Sequence, residues 1–161
     1  MPITNETAAS QCGQDFAAWT SEQAAALRAG RLHELDIEHL SEEIEDLGKR
    51  ERREIVSRLV IIGAHILKFQ YQLERASLSW RNTIREQARQ IDLVLEDSPS
   101  LRPEMDHFIG RSYPNARELA SDETELVLEI FPDVPDKHFL QVVHQALAHQ
   151  DFKLGRKPPS E

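Results

Sequence analysis

Cysteine is almost absent from this chain, and basic residues are outnumbered by acidic ones. The only cysteine among the 161 residues is Cys12, which excludes an internal disulfide and a zinc site built from several cysteines. There are 19 Lys and Arg residues against 28 Asp and Glu residues, so the net charge is −9. Non-specific binding to nucleic acid or to an anionic membrane requires an excess of basic residues. We therefore expect neither nucleic acid nor a membrane among the partners.

Long apolar runs are also missing. The most apolar stretch, Leu59–Leu67, is interrupted by His65. It is much shorter than the roughly 20 apolar residues that a membrane-spanning helix needs. The first residues, Met1–Glu6, have neither the basic region nor the apolar core of a secretory signal. The sequence therefore predicts a cytoplasmic protein.

Signs of β-structure are few. Apolar and polar residues do not alternate, and only six glycines interrupt the chain. Apolar residues recur every three or four positions, which is typical of helices. A chain of this length can bury about 68–70% of its unfolded surface without disulfides or metals. We expect an all-α fold, a four- to five-helix bundle around one long central helix. Residues 1–14 are predicted to be a flexible lead-in, residues 15–150 one domain, and residues 151–161 a basic, disordered tail.

The long helix is predicted from Asp36, which is a good N-cap, to about Glu74. Its first half carries an acidic run: Glu38, Glu42, Glu43, Glu45 and Asp46. An apolar seam keeps its phase along the helix: Ile37, Leu40, Ile44, Leu47, Ile55, Leu59, Ile62, Ile66, Phe69 and Leu73. We expect this seam to face the core. Around residues 59–69 the helix becomes apolar on nearly every side, which places this stretch in the middle of the bundle.

The other helices are predicted from their capping residues and their apolar stripes. The predicted N-caps are Asp15 or, for a shorter helix, Thr20; then Ser77 or Ser79, Ser100 and Asp136. The first of these helices is expected to end at Gly30 and to turn one stripe inward: Phe16, Trp19, Gln23 and Leu27. Pro114 is expected to kink the helix that contains it without dividing it, because the apolar phase continues past the proline.

A polar stripe runs beside the apolar seam of the long helix. Its members, spaced seven residues apart, are Glu51, Arg58, His65 and Gln72. Polar groups beside a core need partners, because an unpaired buried polar group costs about 1–3 kcal/mol. One hypothesis is that the stripe lines a cleft, with His65 as an acid, a base or a ligand. The alternative is structural: Arg58 pairs with Glu54, and His65 is a hydrogen-bonded core histidine.

A metal site is a weaker hypothesis. His39, Glu42 and Glu43 share one face of the long helix and form a partial set of imidazole and carboxylate ligands. A ferritin-like di-metal bundle needs two Glu-x-x-His motifs, and the chain has a single one, Glu104–His107. Because helical histidines and acids form such pairs by chance, no cofactor is predicted.

Three arginines form a basic face on the predicted third helix. Arg81, Arg85 and Arg89 are four residues apart, and Trp80 lies beside them. Arginines presented together can hold phosphates or carboxylates, and a tryptophan can stack on a ring. Alternatively, Trp80 faces the core and the arginines meet the acidic first half of the long helix.

Catalytic motifs are missing from the sequence. It has no glycine-rich phosphate loop, no Gly-x-Ser-x-Gly elbow, no His-Glu-x-x-His and no Cys–His arrangement of catalytic type. Since patterned charge is abundant, we expect a non-catalytic interaction or regulatory module that binds a protein partner or a second copy of itself. The alternative is an enzyme or ligand-binding bundle that uses Glu51, Arg58 and His65.

Several segments resemble one bacterial family, known as domain of unknown function 29. They are residues 15–20, 27–30, 42–48, 51–54, 65–72, 79–84 and 95–101. The resemblance covers roughly residues 15–135 and implies a small, all-helical, intracellular bacterial protein with no agreed activity. Leu73 replaces a proline associated with the family, so the long helix is expected to run further here. Residues 136–161 have no support from the resemblance.

Overall fold

The computed structural model describes residues 15–152, which fold into helices joined by short turns. The α-helices in this part of the chain are α1 (Phe16–Arg28), α2 (Ile37–Tyr71), α3 (Leu78–Asp97), α4 (Met105–Thr124) and α5 (Lys137–Leu147). Because no β-strand occurs between residues 15 and 152, the predicted all-α fold around one long helix is confirmed. The predicted lead-in and residues 153–161 of the predicted tail lie outside the described residues.

The chain divides into two compact units at the boundary between Arg50 and Glu51, inside α2. The sequence predicts one domain over residues 15–150. The boundary falls where α2 is most highly charged and where its apolar seam has a gap, between Leu47 and Ile55. Within residues 15–152, no helix combines the length and the apolar character that crossing a bilayer requires.

The first unit contains α1, whose two ends follow from the sequence. Asp15 accepts a hydrogen bond from the Ala18 N–H at 3.0 Å, so it caps the helix as predicted. Gly30 has a φ of 68°, the left-handed conformation that glycine adopts most easily after a helix.

The buried stripe of α1 is narrower than predicted. Trp19 and Gln23 are buried, and Ala26 continues their line. Phe16 and Leu27 are 47% and 51% exposed, so their predicted inward orientation is wrong. Only the middle of α1 is therefore covered on this face, and its two ends leave their apolar side chains exposed.

α2 begins directly after Asp36, as predicted. The Asp36 carboxylate accepts a hydrogen bond from the His39 N–H at 3.3 Å. The Asp36 backbone N–H donates to Oε1 of Gln23 at 2.8 Å, which fixes the entry to α2 against α1. The helix then continues without interruption through Gly48.

α2 ends at Tyr71 rather than at about Glu74. Gln72 leaves helical geometry with a φ of −139°. Its side-chain amide donates to the Thr124 carbonyl at 3.3 Å. The expectation that Leu73, in place of a proline, extends the helix is therefore wrong. The helix ends before Leu73 although no proline stands there.

The second half of α2 lies at the centre of the second unit, which confirms the predicted central position of residues 59–69. Its most deeply buried side chains are Ile55, Leu59, Ile62, Ala64, Ile66 and Leu67. Two neighbouring helices pack very closely against Gly63. A β-carbon at this position would lie 2.9 Å from Cβ of Ala116 on α4 and 3.2 Å from the Phe139 ring on α5.

α4 remains one helix across Pro114, as predicted. It begins at Met105 rather than near Ser100, because residues 99–104 form a 3₁₀ segment that contains Pro103.

α5 is capped by Asp136, whose carboxylate accepts a hydrogen bond from the Phe139 N–H at 2.8 Å. This cap is the one that the sequence predicts. The core continues beyond α5 to Phe152, which is 2% exposed and packs in the same hydrophobic cluster as the second half of α2. The core therefore extends past the predicted domain end at residue 150.

Candidate functional site

The polar stripe of α2 is satisfied by protein groups on several different elements. Glu51 accepts a hydrogen bond from the Ser98 hydroxyl, just beyond α3. Arg58 donates to Glu54 at 2.7 and 3.1 Å, the pairing that the structural alternative predicts. It also donates to Gln87 of α3 at 3.1 Å. The bonds to Ser98 and Gln87 connect α2 to α3 and the residue that follows it, whereas the bonds to Glu54 lie within α2.

His65 is half-buried, and its imidazole Nδ1 lies 2.9 Å from the Ile61 carbonyl oxygen. A carbonyl can only accept, so the geometry assigns the proton to Nδ1 and leaves Nε2 with its lone pair. Burial lowers the pKa of His65, which keeps the ring neutral near pH 7. A neutral imidazole of this kind can act as a base or a ligand.

His65 has a hydrogen-bond partner different from those of Glu51 and Arg58. Positions seven residues apart on a helix are separated by about 10.5 Å along its axis. Glu51 and Arg58 also bond to partners of their own, at Ser98 and Glu54. The stripe is therefore a set of separate contacts, some within α2 and some to neighbouring elements.

Trp80 faces the α2 core rather than a ligand. Its ring lies edge-on to Phe69, with the centroids 5.2 Å apart, and edge-on to His65 at 6.4 Å. The Lys68 ammonium lies 4.2 Å from the Trp80 ring centroid. This position fits the core alternative for Trp80, and its contact with Lys68 was not predicted.

The arginine face of α3 contacts the C-terminal segment that follows α5. Arg81 donates to the Phe152 carbonyl at 3.3 Å, and Arg85 donates to the Asp151 carboxylate at 3.3 Å. Arg89 binds Glu86 on its own helix through two hydrogen bonds, at 3.0 and 2.8 Å.

A pocket of about 430 Å³ opens beside this face. Its lining includes Arg85 and Arg89 from α3, with His149 and Phe152 from the C-terminal segment. Of the predicted binding residues, the structure thus brings Arg85 to a pocket and gives Arg81 the adjoining role of holding Phe152. Sequence reasoning did not identify His149 or Phe152, because nothing local links them to residues on α3.

The predicted metal ligands stand near the start of α2. His39 Nδ1 lies 2.8 Å from Oδ2 of Asp36, and this contact raises the pKa of His39. Glu42 is exposed and Glu43 is half-buried. Across residues 15–152, no three His, Cys, Asp or Glu side chains come together as a metal site would require.

The first half of α2 carries an exposed apolar face that the sequence analysis interpreted wrongly as core. Ile37, Ile44 and Leu47 are 60%, 67% and 57% exposed, and Leu40 between them is half-buried. We call these four residues the apolar face. The acidic run surrounds it, and the helix here lacks the second apolar side that marks the buried half.

The model of a family described as domain of unknown function DUF29 matches residues 13–148. No curated protein and no solved structure matches the chain.

Proposed function

We propose that this chain, which belongs to the family of domain of unknown function DUF29, is a non-catalytic module that binds another protein. The binding surface is the apolar face of α2. The single observation behind this proposal is the exposure of Ile37, Ile44 and Leu47, each more than half exposed at the spacing of a helix seam. Scattered exposed apolar residues are common, but a seam aligned along one helix is typical of an interface.

The charges around the apolar face define the partner. Five acidic residues and no Lys or Arg lie between Ile37 and Leu47. A complementary surface has apolar anchors flanked by basic side chains, as in a basic amphipathic helix. We therefore assign the face to a helical segment of this chemistry on another protein.

A second copy of the chain fits this surface less well. The acidic residues run from Glu38 near one end of the face to Asp46 near the other. Parallel and antiparallel pairing of two copies would both bring acidic flanks together, and like charges in close contact oppose association. Dimerisation through this face is therefore less favourable than binding of a basic helix, and the experiment has to distinguish the two.

The test uses a fluorescent synthetic peptide with leucine at two positions of each heptad and lysine at the others. We expect the peptide to bind the full chain, with a fluorescence anisotropy signal that weakens as salt rises. Ile44→Gln should weaken binding by about tenfold or more, because burying one such side chain contributes roughly 1.5–3 kcal/mol. Leu78→Gln is the matched control, since Leu78 is 81% exposed on α3.

Two results would overturn the proposal. Equal peptide binding by the wild type and the Ile44→Gln variant would show that the apolar face is not the surface used. A dimer in light scattering that Ile44→Gln dissociates would show that a second copy occupies the face instead.

A further inference from the structure

The pocket beside the arginine face has the features of a binding site for a small organic anion. Its volume, about 430 Å³, lies within the range of small-molecule sites. Arg85 and Asn82 offer hydrogen-bond donors from α3, while Phe152 and Ala146 give an apolar wall. We propose that this pocket binds a monocarboxylate carried on an apolar body, with Arg85 as its anchor.

Arg85 is the arginine that a ligand can recruit. Its partner in the structure is Asp151, at 3.3 Å, and the Asp151 side chain is 99% exposed. A contact this long to a fully solvated carboxylate contributes little stability. The Arg85 guanidinium can therefore exchange the Asp151 carboxylate for that of a ligand at small cost.

Arg89 is already committed to a partner. Glu86 holds it through two hydrogen bonds and also accepts one from Gln90 at 2.8 Å. The hydrogen bond from Arg89 lowers the pKa of Glu86 to about 2, so this carboxylate stays ionised at the pocket wall. This fixed negative charge repels a doubly charged group such as phosphate more strongly than a singly charged carboxylate. The pocket therefore favours a carboxylate.

The C-terminal segment is fixed over the pocket by several contacts. His149 contacts the Asp92 carboxylate through Nε2 and has a φ of 53°, which is uncommon for a residue other than glycine. Arg81 holds Phe152 through its carbonyl, and its guanidinium lies 5.5 Å from the Phe152 ring centroid. The apolar wall is thus held in place before any ligand binds, which lowers the entropic cost of binding.

Benzoate is the probe that tests the site, and benzamide, its neutral analogue of similar shape, is the control. Two-dimensional NMR of the full chain should show benzoate shifting the resonances of Arg85 and the segment around His149. We expect benzamide and inorganic phosphate each to bind at least about tenfold more weakly than benzoate, because the first lacks the charge and the second carries too much.

Two variants distinguish this site from general attraction of anions. Arg85→Gln should weaken benzoate binding by about tenfold or more, and Asp151→Asn should strengthen it by removing the internal competitor. Arg111→Gln, a change at an exposed arginine of α4, should leave it unaltered. Unchanged thermal unfolding of each variant confirms an intact fold.

Three findings would refute the assignment. They are equal binding of benzoate and benzamide, equal binding by the wild type and Arg85→Gln, and tighter binding of phosphate than of benzoate. None of them bears on the apolar face of α2, so the two proposals fail separately.

Discussion

The ammonium group of Lys68 lies 4.2 Å from the centre of the Trp80 ring, and it also donates to the Glu123 carboxylate at 2.5 Å. The Lys68 side chain is 8% exposed, whereas that of Glu123 is 39% exposed. A buried cation is thus held between an aromatic face and one carboxylate, and this arrangement joins α2 to α3 and α4.

The two partners of this ion pair should respond differently to substitution. Glu123→Ala leaves the buried ammonium without its carboxylate and should lower the free energy of unfolding by about 1–3 kcal/mol. Lys68→Met removes the charge and keeps the packing, so we expect a change within about 1 kcal/mol. Urea unfolding followed by circular dichroism measures both. A larger loss in Lys68→Met than in Glu123→Ala would contradict this order.

Gly63 should tolerate no larger side chain. Gly63→Ala places the new β-carbon against Ala116 and Phe139 and should lower the free energy of unfolding by about 1–3 kcal/mol. Gly110, on α4, is the matched control because a β-carbon there meets nothing within 4 Å. Gly110→Ala should leave stability unchanged or raise it by up to about 1 kcal/mol. Thermal unfolding measured side by side checks the contrast.

His65 should make the protein less stable in mild acid. Its folded-state pKa lies below the value of about 6.5 that the unfolded chain has. The unfolded state therefore binds the proton first as the pH falls, and stability is lost from about pH 6.5 down through the folded pKa. His65→Gln should reduce this loss. An NMR titration that places the His65 pKa above 6.5 would show that the sign is wrong.

Tyr113 should affect stability at the other end of the pH range. Its hydroxyl donates to the Pro132 carbonyl at 2.9 Å, and burial raises its pKa to about 12. The unfolded chain loses this proton near pH 10, so the contribution is complete below about pH 10 and is lost as the pH rises toward 12. Tyr113→Phe should flatten this slope, and tyrosinate absorbance of the wild type reports the pKa directly.

Two of the helix starts could be predicted because each depends on residues close in sequence. Asp15 and Asp136 cap helices through N–H groups three residues ahead, at Ala18 and Phe139. The buried stretch of α2 was also predictable, since a helix that is apolar on every side must be covered by other elements.

The apolar face and the pocket could not be predicted, because both depend on what lies far away along the chain. The periodicity that includes Ile44 and Leu47 specifies that they share a side of the helix, but not whether anything covers that side. Arg85 finds its partner at Asp151, and no local pattern links two such distant positions. Gln72, just after the end of α2, likewise bonds to Thr124, and its neighbours in sequence do not signal this contact.

The position of Phe152 shows that the family match and the hydrophobic core end at different residues. The region of family kinship stops at residue 148, whereas the last aromatic ring of the hydrophobic core belongs to residue 152. A fragment trimmed to the shared region would keep all five described helices but lose the ring against which Arg81 rests. Phe152, a member of the described hydrophobic core, thus lies just outside the residues that match the family model.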